Sequence, residues 1–126
     1  MKLRIQGDSL RLRIAPSEMA LLLDTGRVEE TIHFGAEQDA QLTYALELAH
    51  GSLELALRSD GRRIAVSMPA ESARAWAAGN DVGVYGTVPV LNGDLEIAVE
   101  KDWACLGKSN EENRDTFPNP AQGAAC

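Results

Sequence analysis

Residues 2–18 read KLRIQGDSLRLRIAPSE, and the fold class follows from how this stretch alternates. Leu3 and Ile5 alternate with Lys2, Arg4 and Gln6, and Leu10, Leu12 and Ile14 alternate with Arg11 and Arg13. Successive side chains of a strand point to opposite faces, so each run predicts a strand with one buried side. Gly7-Asp8 between the runs predicts a tight hairpin. Pro16-Ser17-Glu18 then opens a short helix. Either Ser17 caps it or Pro16 holds its first position, and Gly26 suits its C-terminal stop.

The pattern continues outward from there. Val28, Ile32 and Phe34 share one strand face; after a polar turn at residues 35–39, Leu42, Tyr44, Leu46 and Leu48 share another. His50-Gly51-Ser52 is a turn, after which Leu53, Leu55 and Leu57 alternate with Glu54 and Arg58. Ser59-Asp60-Gly61-Arg62 is a hairpin turn leading to Ile64, Val66 and Met68. Pro69-Ala70-Glu71 opens a second helix, ending at Gly79. Val82, Val84, Val88 and Val90 follow, then the hairpin signal Asn92-Gly93, then Leu95, Ile97 and Val99.

Each half therefore predicts strand, strand, helix, strand, strand: residues 1–49, and again residues 52–101. Pro16 matches Pro69 and Gly26 matches Gly79. The expected fold is α+β, mainly antiparallel, with about eight strands and two short helices. Two pseudo-repeated ββαββ units would form a curled sheet or barrel, because a sheet with one apolar face must cover it. Residues 102–126 would dock outside as a tail. At 126 residues the chain fits one domain.

Charge narrows the function classes. There are 12 Lys and Arg against 19 Asp and Glu, a formal charge of −7. That balance argues against nucleic acid, which demands a basic surface. No apolar run is long enough for a membrane span, and the charged opening residues do not resemble a secretory signal, so a cytoplasmic setting is expected. Lys2, Arg4, Arg11 and Arg13 make a basic edge on an acidic body. Either they pair with Glu29, Glu47, Glu54, Glu96 or Glu100 on neighbouring strands, or Arg4, Arg11 and Arg13 steer an anionic ligand. The first reading places the opening hairpin beside an acidic strand, the last being attractive.

Catalytic motifs are absent: there is no GxGxxG, P-loop, HExxH, GxSxG or CxxC. His33 and His50 are each a general base, a ligand or a solvated surface histidine. If the strand phase holds, Glu30 points inward with Val28 and Ile32, making it the acid/base candidate of the first half. Gly83 and Gly86 flank Tyr85, marking a bend or a close approach of backbone or ligand. In the second case Tyr85 and Trp76 would border a pocket.

The closing segment carries both cysteines, Cys105 and Cys126. Three readings stay open. They are free thiols, a disulfide worth about 3 kcal/mol by loop entropy, or a metal site completed by His33, His50 or acidic residues, with zinc as the metal. Trp103 and Phe117 are large apolar groups expected to dock on the body.

Glu100-Lys101-Asp102-Trp103-Ala104-Cys105-Leu106 and Asp115-Thr116-Phe117-Pro118-Asn119-Pro120, followed by Cys126, resemble the close of a family of short uncharacterised bacterial proteins. The family's members open with a Ser-Leu-Arg-Leu-Arg strand, as residues 9–13 do. No established activity comes with that likeness. Three function classes follow from the residues. The first is a small soluble binding or interaction module, partnered by an unidentified protein or a second copy. The second is a metal- or redox-responsive protein using Cys105 and Cys126. The third is a small-ligand carrier or enzyme with a pocket inside the curled sheet. The missing motifs lean away from an enzyme.

Overall fold

The computed structural model describes residues 1–104 and 111–118. In chain order its elements are β1 (Lys2–Ile5), β2 (Ser9–Ile14), α1 (Pro16–Thr25), β3 (Arg27–His33), β4 (Gln41–Ala49), β5 (Ala56–Ser59), β6 (Arg63–Pro69), α2 (Ala70–Ala78), β7 (Gly83–Val90) and β8 (Gly93–Lys101). The alternation of the opening residues is carried into three dimensions. Leu10, Leu12 and Ile14 are buried, whereas Ser9, Arg11 and Arg13 face outward and are only partly covered. Gly7 turns the first hairpin at φ +54°. Pro16 takes the first helical position of α1, and the Glu18 carboxylate accepts the Ala15 backbone N–H at 3.0 Å. Gly26 ends α1 in the left-handed region, its N–H donating to the Leu22 carbonyl at 2.8 Å.

The eight strands form two four-stranded sheets, ordered β1-β2-β8-β7 (sheet A) and β3-β4-β6-β5 (sheet B). No closed barrel forms among the described residues. Each helix leads from a hairpin of one sheet into a hairpin of the other, so each sheet receives one hairpin from each half of the chain. The central pairs, β2 with β8 and β4 with β6, are parallel, and the four outer pairs are antiparallel. Both sheets are therefore mixed. The last strand does lie beside the first hairpin, as charge pairing required, but it runs parallel to β2.

One core fills the space between the sheets. Leu12, Ile14, Ile97 and Val99 come from sheet A, Leu46, Val66 and Met68 from sheet B, and Leu22, Ala73 and Trp76 from the helices. The interior holds side chains where the sequence allowed a ligand pocket. Trp76 is a core residue, 2% exposed, whose Nε1–H donates to the Val82 carbonyl at 3.1 Å. A buried indole N–H needs such a partner.

The matched prolines occupy different places. Pro16 is the first helical residue of α1, whereas Pro69 closes β6 and precedes α2. Leu53 is exposed and lies before β5, which starts only at Ala56. Leu55, also before β5, is buried against Gly86.

After β8 the chain returns along the body. The Asp102 N–H donates to the Ile14 carbonyl at 2.9 Å, and Trp103 bridges Phe117. The Arg13 guanidinium lies 5.5 Å from the Trp103 ring centre, and Lys101 Nζ lies 5.5 Å from that of Phe117. Asp115 reaches α1: its carboxylate accepts the Ser17 N–H at 3.1 Å and the Ser17 hydroxyl.

Candidate site on the outer face of sheet A

Sheet register sets which residues share the outer face. Across the strands, Arg4 lies beside Arg11, Arg11 beside Ala98, and Ala98 beside Tyr85. One step along, Arg13 lies beside Glu100 and Glu100 beside Gly83; a step the other way, Ser9 lies beside Glu96 and Glu96 beside Thr87. Ala98 is thus the small residue among large ones. A hollow of about 500 Å³ opens there, with Arg11 on one flank, Tyr85 and Thr87 on the other, and Glu96 and Glu100 along its middle strand.

Glu100 is 8% exposed. Its Oε2 accepts the Tyr85 hydroxyl at 2.8 Å. Arg11 Nε stands 3.1 Å from Oε1, but its N–H is not aligned to donate, and buried Oε1 has no hydrogen-bond partner. Burial pushes the Tyr85 hydroxyl up, and its bond to the Glu100 carboxylate adds to this, taking it to about 12 against the pull of Arg11. Gly83 admits the arrangement. A Cβ there would lie 2.6 Å from the Val99 carbonyl oxygen, 2.9 Å from Glu100 Cγ and 3.0 Å from the Tyr85 hydroxyl.

Sheet B supplies the comparison. Strand β4 holds the place in its sheet that β8 holds in sheet A. Glu47 of β4 faces Ser67 of β6, and Glu100 of β8 faces Arg13 of β2; both partners sit three residues before the next helix. Glu47 is saturated. It accepts from Arg27 at 2.6 Å, Arg58 at 2.6 Å and Ser67 at 3.1 Å. Burial by itself would raise the Glu47 carboxyl, but the Arg58 and Ser67 bonds and the Arg27 charge hold it below the usual carboxylate range. Of these two matching carboxylates, Glu47 is bonded by two arginines and a serine, and Glu100 by Tyr85 with Arg11 beside it.

The remaining predicted site residues lie elsewhere. Glu30 does not point into the core: it is exposed, accepting from the Met1 amino group at 3.1 Å and from the Tyr44 hydroxyl at 3.0 Å. Only Val28 on that face of β3 is buried, because β3 is an edge strand; Ile32 and Phe34 lie open. Arg4 is exposed at the opposite edge and donates to the Gln6 side chain at 3.2 Å. Arg13 stacks on Trp103 and leaves its buried Nε without a partner. His33 lies on the outer face of β3 opposite Gln41, and His50 in the turn after β4; both are exposed. No group of three or more His, Cys, Asp and Glu poised for a metal occurs among the described residues, and Cys105 and Cys126 lie outside them. No helix among the described residues is long and apolar enough to cross a membrane.

Arg11 and Tyr85 are thus the predicted residues that the fold brings together. Ala98, Thr87 and Ser9 were missed. The available signal was the strand phase, which puts Ala98 outward between Glu96 and Glu100. A second hollow of about 500 Å³ lies between α2 and the tail, but its lysine, Lys101, already donates to the Gly79 carbonyl at 2.9 Å.

No curated protein and no solved structure matches the chain significantly. The model of a family of unknown function, DUF7009, matches residues 1–121, and the chain belongs to that family.

Proposed function

We propose that the protein is a small binding module whose ligand sits in the hollow over Ala98. The observation that carries this reading is the hollow itself, where Arg11, Tyr85, Thr87 and the exposed Glu96 surround the small Ala98. The hollow has the size of ordinary ligand sites, which run from about 300 Å³ upward. Its groups hold and orient a ligand, and the Tyr85 hydroxyl, bonded to Glu100 and raised to about 12, keeps its proton at neutral pH.

The same reading takes the two halves as pseudo-equivalent ββαββ units. The exchange of hairpins between sheets supports this, because renumbering one half as the other turns the strand order of sheet A into that of sheet B. Under it, Glu47 and Glu100 are one position used twice. One copy is held by two arginines, and the other holds Tyr85 beside the hollow.

The test uses Ala98→Trp, which fills the hollow from its floor on the solvent side of the sheet. Polar small molecules that bind the wild type in ligand-observed NMR should lose binding to this variant, with its melting temperature little changed. Compounds that bind both proteins equally would overturn the reading.

A further inference from the structure

We infer that the ligand of the hollow is a neutral saccharide; this rests on the hollow being the binding site. The polar groups around Ala98 make opposite demands. The exposed Glu96 carboxylate, which forms no salt bridge among the described residues, requires a donor. The guanidinium of Arg11 holds only donors, and the Thr87 hydroxyl serves either way. A sugar hydroxyl both donates and accepts, so neighbouring hydroxyls on one ring satisfy a carboxylate and a guanidinium together.

Charge excludes the simpler ions. An anion drawn to Arg11 meets Glu96 and Glu100. A cation drawn to the carboxylates meets Arg11, with Arg4 on the next strand behind it. A neutral ligand meets neither repulsion.

The aromatic wall completes the argument. Tyr85 is 59% exposed, yet its hydroxyl is tied to Glu100 over Gly83, so the ring is held along the sheet while solvent still reaches it. An exposed ring fixed in place presents an apolar face at low entropic cost. The C–H face of a pyranose fits such a surface, and its hydroxyl edge then meets Glu96, Thr87 and Arg11.

The experiment is a titration of the 15N-labelled full chain with D-glucose, D-galactose, D-mannose, N-acetyl-D-glucosamine and maltotriose, followed by amide shifts. L-glutamate and spermidine serve as ionic comparators. The expected result is saturable binding of at least one saccharide in the millimolar range, with shifts at Tyr85, Glu96 and Ala98. Tyr85→Ala should weaken it by about tenfold, and Tyr85→Phe, which keeps the ring, by less. If no saccharide shifts these amides, or if either comparator shifts them more strongly, the saccharide inference is overturned. An ionic ligand acting at these amides would leave the hollow as the binding site. Shifts confined to other surfaces would remove both claims.

Discussion

The Tyr85 hydroxyl donates to Glu100 Oε2 at 2.8 Å, and the two meet in space that Gly83 leaves empty. A methyl group at residue 83 would lie 2.6 Å from the Val99 carbonyl oxygen, which belongs to the ladder and cannot swing aside. Gly83→Ala should therefore destabilise the fold by about 1–3 kcal/mol, as overpacking does. Urea unfolding measures this; a variant as stable as the wild type would show that the close approach is not there.

The same pair predicts a titration. Tyr85 should ionise at about 12, above the ordinary 10.0. Burial raises it and the Glu100 charge adds to that, so Glu100→Gln should bring it down. The raised value in the folded state means that the proton is held more tightly there. Its stabilising effect is present below pH 10 and is lost as the pH rises from 10 toward 12. Phenolate absorbance in a Tyr44→Phe background, which removes the other tyrosine, reads it directly.

Glu47 and Glu100 should respond differently to the same substitution. Glu47→Gln sets an amide N–H₂ against one of two arginines and should cost about 1–3 kcal/mol. Glu100→Gln keeps a carbonyl for Tyr85 and sets its amide against a single arginine, Arg11, whose N–H forms no hydrogen bond to it, so it should cost less than Glu47→Gln. The Glu47 carboxyl lies below its ordinary value of 4.5, so its contribution holds above that pH and fades as the pH falls below it. Equal losses in the two variants would contradict the asymmetry.

The contact between Asp115 and Ser17 ties the returning chain to the first turn of α1. A carboxylate there satisfies a free backbone N–H and favours the positive end of the helix. Asp115→Ala and Ser17→Ala should each cost about 1 kcal/mol, and the double variant less than their sum. Additive losses would show that the two residues act separately.

The strand faces were legible because alternation is a local property. Leu10, Leu12, Ile14, Leu46, Val66, Ile97 and Val99 all fell on the buried side. Strand partnership was less so, since β2 meets β8 across nearly the whole chain and in parallel. Glu30 failed for the same reason. The phase of β3 was right, but whether that face is covered depends on what packs above it, and cover ends after Val28. That Trp76 would be buried in the core, its N–H bonded to the Val82 carbonyl, depended on packing that helix periodicity alone does not show. Arg11 and Tyr85 were individually visible as outward residues. That they stand on either side of Ala98 is a fact of register, which no single strand carries.

A crystal structure at a resolution that shows ordered water tests the central claim most directly. The account predicts a water or ligand atom seated over Ala98 within about 3.2 Å of the Glu96 carboxylate or the Arg11 guanidinium. Arg11 folded across Ala98 and bonded to both Glu100 oxygens would close the hollow, and would contradict it.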